Sequence, residues 1–330
     1  MWSRSFRAGG PRASVARTPV AQVAVPDRAA SPPRERSAAA NLLISLRPEQ
    51  WVKNFFVFAA LIFSLRLTDL RAVAVVTAAF VVFCVLSGVV YLVNDVADRR
   101  SDSGHPIKAR RPIASGALPP STAIAAALAL GAAALFAAFW LHPGFGIVAI
   151  VYLSLMVLYS GPLKHVVILD VLAISIGFVL RVFGGAVVID VPVSHWLLVC
   201  TILLALFLAL SKRRHELVLL ADAAKGHRRI LQEYSPYLLD QMIGVVTAST
   251  VMAYMLYATS PETAEKFGTS LLGLTIPFPL YGIFRYLYLV HQKEGGGSPS
   301  EMLLTDRPLL LCVALWGIAI ALIIYRPFGI

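Results

Sequence analysis

Residues 72–102 read AVAVVTAAFVVFCVLSGVVYLVNDVADRRSD. The stretch is apolar from Ala72 to Val93, about as long as the ~20 residues an α-helix needs to cross a bilayer. It then turns abruptly polar at Asn94. At about 100° per residue, a continuing helix puts Asn94, Asp95, Asp98 and Asp102 within about 100° of arc. One amide and three carboxylates on one narrow face repel each other and call for compensation, most simply by a hard divalent cation. Along a straight helix Asp95 and Asp102 lie about 10 Å apart, too far for one ion to bind both directly.

The whole chain repeats the apolar theme. Of 330 residues, 58% are apolar and 14% charged, with a mean hydropathy of +0.74. A soluble protein would carry about 25% charged residues. We count nine apolar stretches, at 50–66, 70–93, 121–140, 145–160, 167–189, 194–211, 237–258, 270–290 and 308–325. The fold class is all-α: a polytopic nine-transmembrane-helix bundle. Cys84, Cys200 and Cys312 lie far apart inside apolar stretches and read as packing residues.

Net charge is +11, unevenly spread. Residues 1–40 hold seven arginines against Asp27 and Glu35, among Pro, Ala and Ser, and lack an apolar signal core. They read as a disordered basic tail ahead of a membrane domain at 41–330. The nine stretches leave fourteen lysines and arginines in one set of loops and four in the other. By the positive-inside rule the N-terminus is cytoplasmic and the C-terminus outside. Two long polar loops, 94–120 and 212–236, fall on the cytoplasmic side, so the functional face is placed there.

The first long loop continues into Lys108, Arg110 and Arg111, a phosphate-binding set. An acidic face followed by cations suits a metal-bound diphosphate. Lys53 and Asn54 fall just inside the first apolar stretch, where a buried amide needs partners. The fourth stretch ends at Tyr159, with Lys164 following. Asp170 and Arg181, eleven residues apart, share a helix face about 16 Å apart along its axis. An intramembrane charge such as Arg181 is a site hypothesis by default, with a hydrogen-bonding role between helices as the alternative. The second long loop opens Lys212-Arg213-Arg214-His215-Glu216, where Lys212 and Glu216 are spaced to pair. No histidine has metal-ligand spacing, and no Ser-His-Asp grouping, P-loop or dinucleotide fingerprint occurs.

Asn94…Asp98…Asp102 after the second of nine stretches resembles the signature of the UbiA superfamily of intramembrane prenyltransferases. Lys108 to Gly116, Tyr159…Lys164 and Asp170 fit the same pattern. Most members carry a second aspartate-rich motif after the sixth span. Here Lys212-Arg213-Arg214 stands there, and Glu216 alone is acidic. With Arg47-Pro48-Glu49-Gln50-Trp51-Val52-Lys53-Asn54, this is similar to the branch that moves 5-phosphoribosyl from phosphoribosyl diphosphate to decaprenyl (polyprenyl) phosphate for cell-wall arabinan. The resemblance implies that Asp95, Asp98 and Asp102, assisted by Asn94, hold Mg²⁺, with Mn²⁺ as the other candidate. It implies that Lys53, Lys108, Arg110 and Arg111 clamp donor phosphates and that Lys212, Arg213 and Arg214 take the ribose 5-phosphate or the lipid phosphate. Glu216 and Asp170 would contact ribose hydroxyls or orient cations. The implied partners are both substrates and the bilayer of the inner (plasma) membrane, with no nucleic acid; a homo-oligomer is left open. Two other functions fit less of the sequence. A prenyltransferase with a polyprenyl diphosphate donor and an aromatic acceptor predicts the missing second metal motif. A membrane transporter predicts polar groups on both sides.

Overall fold

The computed structural model describes residues 36–104, 108–221, 233–293 and 299–325. Most of the N-terminal tail, and the loop residues 105–107 and 222–232, lie outside these. The described residues are helical, without strands, in thirteen α-helices: α1 (Ala38–Ser45), α2 (Phe58–Phe63), α3 (Leu70–Ala97), α4 (Arg99–Ser103), α5 (Pro120–Leu141), α6 (Pro143–Ser160), α7 (Leu169–Val187), α8 (His195–Ala221), α9 (Pro236–Thr259), α10 (Pro261–Phe267), α11 (Pro277–Gln292), α12 (Pro299–Thr305) and α13 (Arg307–Tyr325).

Seven of them, α3, α5, α6, α7, α8, α9 and α13, are long and apolar enough to cross a membrane. α10 and the segment Leu271–Gln292 pass the same test together but meet at 103°, the geometry of a broken span or a re-entrant loop, so the described residues hold seven spans, or eight with this pair, against the nine expected. The expected first stretch differs most. Residues Pro48–Val57 form a 3-10 helix that hands over to the short α2. A 3-10 helix rises about 2.0 Å per residue, so this segment covers depth with few residues.

Local chemistry sets the helix starts. Asp69 caps α3, its Oδ1 accepting from the amides of Arg71 at 3.0 Å and Ala72 at 3.1 Å. Ser235 caps α9 through the Leu238 amide, and Pro120, Pro143, Pro236 and Pro277 each open a helix where no amide donor is needed. At 28 residues α3 is about 42 Å long, against a hydrocarbon core of about 30 Å. Its last turns therefore project past the apolar zone, with Asn94 and Asp95 at the rim.

α7 is the buried hub. Its Val171, Ala173, Gly177, Phe178, Val182 and Gly184 all face inward. Gly185 lets the 3-10 segment pass: a Cβ there would sit 1.9 Å from the Val57 carbonyl oxygen. Gly185→Ala must push the two backbones apart, so a loss of about 1–3 kcal/mol is expected. Thermal unfolding in detergent checks this, with Gly317→Ala, which meets open space, as the neutral comparison. Leu128, Phe136 and Trp140 of α5 point outward, as lipid-facing residues do.

Candidate active site

The aspartates sit where α3 ends. The helix stops at Ala97, Asp98 takes φ −88° and ψ 4°, and α4 resumes at Arg99. The break folds Asp102 back towards Asp95. Arg111 Nη1 donates to Asp95 Oδ1 at 3.1 Å and to Asp102 Oδ2 at 2.6 Å. One cationic atom thus contacts both carboxylates, at hydrogen-bond rather than metal-ligand distances. Arg47, in a left-handed conformation just before the 3-10 segment, donates to the same Asp95 oxygen at 2.6 Å and stacks on Tyr91. Lys164 reaches Asp98 at 3.1 and 3.3 Å, and Lys108 lies 4.0 Å from Asp102. Arg110 is exposed, and the half-buried Asn94 joins none of these pairs.

A second group forms where α6, α7 and α8 meet. Asp170 is fully buried. It accepts from Arg213 Nε at 2.7 Å and from the Tyr234 hydroxyl at 2.8 Å. Arg213, 2% exposed, also donates to Glu216 at 2.6 Å and to the Tyr159 hydroxyl at 2.9 Å. Lys212 approaches Glu216 at 3.9 Å. Arg214 turns the other way and pairs with Asp240 of α9, which His291 of α11 approaches at 3.4 Å. Burial pushes the Tyr234 phenol up to about 12, so it stays protonated and donates at neutral pH. The same hydroxyl accepts from the Ile168 amide at 2.8 Å, and Ile168 has φ 70°, rare for a β-branched residue.

The connector 159–170 joins the two groups: Tyr159 and Asp170 belong to the second, and Lys164 between them pairs with Asp98 of the first. The end of α3 and the last turns of α8 therefore meet across this short segment, and α8 runs on to Ala221, so Lys212 to Glu216, expected in a loop, are helical.

A third group lies deeper. Arg181 donates through Nε to Asn54 Oδ1 at 2.7 Å, through Nη1 to the Gly177 carbonyl at 2.8 Å and through Nη2 to the Tyr152 hydroxyl at 2.8 Å. Ser87 bonds Asn54 at 3.3 Å and Tyr152 at 3.1 Å. Arg181 and Asp170 share a helix but not a partner: neutral groups hold Arg181, and Asp170 goes to Arg213. Lys53, half-buried, is within electrostatic reach of Arg47 and Arg181.

Arg47, Tyr152, Tyr234 and Asp240 escaped the reading of single residues. Asp240 carried a usable signal, an acid inside an apolar stretch. The tyrosines carried none, because a neutral hydroxyl becomes a partner only through packing.

The donor set suits a hard divalent ion. Two carboxylate oxygens converge on the place of one guanidinium nitrogen, and magnesium prefers oxygen ligands at about 2.0–2.1 Å. Among the described residues no three His, Cys, Asp or Glu side chains stand close enough to hold a metal by themselves. Magnesium rarely needs that: it binds through one or two carboxylates, with water and substrate phosphate completing the shell.

Residues 54–305 match the model of the UbiA prenyltransferase family. The chain is 34% identical over 309 residues to the decaprenyl-phosphate phosphoribosyltransferase of Mycolicibacterium smegmatis, covering 90% of this chain and 95% of that one. It is 33% identical over 285 residues to the protein of that name from Mycobacterium tuberculosis, covering 84% and 92%. Among solved structures, a UbiA homolog from Archaeoglobus fulgidus bound to GPP and Mg²⁺ superposes with a TM-score of 0.65 at 18% identity, covering 85% of this chain and 99% of that one.

Proposed function

The chain belongs to the UbiA prenyltransferase family, a membrane-embedded transferase, and from that premise we propose that it moves 5-phosphoribosyl from phosphoribosyl diphosphate to a decaprenyl or similar polyprenyl phosphate. One observation carries the choice of donor. The last turns of α8 present Lys212, Arg213 and Arg214 where a second carboxylate cluster would serve a prenyl diphosphate donor, and Glu216 is the one acid of that run; the other acids there, Asp170 and Asp240, come from α7 and α9 and are each paired with an arginine. A donor with a phosphate at each end needs cations at both poles. The likeness to the mycobacterial phosphoribosyltransferases over most of both chains supports the same reading.

In this reading Asp95, Asp98 and Asp102, with Asn94 near, bind a Mg²⁺–diphosphate unit. The bound ion supplies Lewis-acid stabilisation of the charge on the departing diphosphate. Their present partners Arg111, Lys108 and Lys164 are then free to turn towards phosphate oxygens, with Arg110 and Lys53 alongside. Arg213 is committed to Asp170, Glu216 and Tyr159, so its part is to fix the second pole. Lys212 and Arg214 meet the 5-phosphate or the lipid phosphate. Arg181 and Asn54 hold the 3-10 segment and α7 in register beneath the site. The lipid phosphate oxygen, already anionic, attacks C1 of the ribose and diphosphate leaves. No strong base is required, and catalysis is positioning and charge stabilisation. The site faces the cytoplasm of the inner (plasma) membrane, where both charged substrates reside, and the lipid-linked pentose feeds cell-wall arabinan.

A donor comparison on purified protein tests this. With Mg²⁺ and polyprenyl phosphate, label is expected to move from phosphoribosyl diphosphate to lipid, to stop with chelator and to return with added Mg²⁺. Transfer only from a prenyl diphosphate to an aromatic acceptor would overturn it.

A further inference from the structure

The connector between α6 and α7 carries a strained turn at Ile168, with φ 70° and ψ −44°. These angles lie close to the rare, strained form of γ-turn. Among the described residues four non-glycines have positive φ, and Ile168 is the β-branched one. Packing does not demand an isoleucine there, because its side chain is 48% exposed. Such a conformation persists only where its surroundings hold it.

The hold comes from a distant part of the chain. The Ile168 amide donates to the Tyr234 hydroxyl at 2.8 Å, across 66 residues of sequence. That hydroxyl donates its one proton to Asp170 Oδ1 at 2.8 Å, which leaves a lone pair aimed at the amide. The Tyr234 ring is 4% exposed and shares an apolar cluster with Val171 and Leu239, so the tether has a fixed base. On the other side of the turn the chain is short and stiff. Residues Leu163–His165 form a 3-10 turn, and the Asp170 amide closes back on the Val166 carbonyl at 3.1 Å. The backbone angle at Ile168 therefore sets the direction in which Lys164 leaves α7. Lys164 is 8% exposed, with Nζ 3.1 Å from Asp98 Oδ1.

We propose that Tyr234 is a positioning residue of the transferase: its hydroxyl holds the Ile168 turn and, through that turn, keeps Lys164 against Asp98. The proposal rests on the reading of the aspartate cluster as the active site made above. It gives the approach to α9 a part in the first pole, although Tyr234 bonds only Ile168 and Asp170 among the described residues.

The test combines Tyr234→Phe with Ile168→Gly in the full-length protein in phospholipid nanodiscs. Phenylalanine keeps the ring in its cluster and removes both bonds. Glycine takes a positive φ without strain, so the turn keeps its shape without the tether. Labelling of Lys164 by an amine-reactive ester is followed by peptide mass spectrometry, with chelator present and the exposed Lys266 as internal reference. Tyr234→Phe is expected to raise Lys164 labelling at least about tenfold and to lower kcat about tenfold, the order set by one bond to a charged group, with KM for phosphoribosyl diphosphate little changed. Ile168→Gly alone should leave both near the parent values, and the double variant should recover most of both losses. Unchanged Lys164 labelling in Tyr234→Phe would overturn the proposal. So would equal elevation in the double variant, since the damage would then run through Asp170 alone. The expected labelling pattern in a protein that moves no phosphoribosyl would support the tether and remove the donor assignment instead.

Discussion

Asp98→Asn is expected to lower turnover at least about 100-fold while leaving the protein folded. Losses of about 10²–10³ follow removal of a single group that stabilises developing charge. Asp98 sits at the helix break, partly exposed, with Lys164 at 3.1 Å. Lys164 keeps only 10% of its side chain exposed, so losing this partner leaves a largely buried ammonium, and some fall in the thermal midpoint accompanies the loss of turnover. Asparagine keeps the shape and removes the charge. Two effects then combine: the metal–diphosphate unit loses a carboxylate, and Lys164 loses the partner that orients it. A steady-state assay across a Mg²⁺ titration separates them. If metal binding fails, the apparent Mg²⁺ requirement rises; if orientation fails, kcat falls at every concentration. Full activity at ordinary Mg²⁺ would exclude Asp98 from the site.

Asp170→Ala should act in the opposite way, on stability first. Asp170 and Arg213 have 0% and 3% of their side chains exposed. Removing one partner of a buried pair costs about 3–5 kcal/mol, because the other charge stays uncompensated. Tyr234 loses its acceptor in the same step. A drop of about 10 °C in the midpoint is the expected order. The double variant Asp170→Leu with Arg213→Met removes both charges and should recover much of the midpoint without restoring activity, since Glu216 and Tyr159 also lose their cation. A single variant as stable as the parent would show that water or a relaxed Arg213 already compensates the charge.

The spans were legible because length and apolarity suffice for them: 121–140 and 308–325 correspond to Pro120–Leu141 and Arg307–Tyr325. The stretch 50–66 was legible as apolar but not as a 3-10 segment. Its form depends on Gly185, more than a hundred residues away, admitting Val57. The aspartates were visible as a cluster, whereas the bridging by Arg111 was not, since it depends on the bend at Asp98. Of the second pole, Arg213 and Asp170 were marked by charge, and their being partners was not. The choice of Asn54, Tyr152 and Ser87 around Arg181 is decided wholly by packing of distant helices.

Two separate elements finish on one carboxylate. Arg213, in the last turns of α8, is bonded to Asp170 Oδ2, and Tyr234, just ahead of α9, is bonded to Asp170 Oδ1. A single side chain of α7 thus fastens the end of one span and the approach to the next, and removing its carboxylate unfastens both at once.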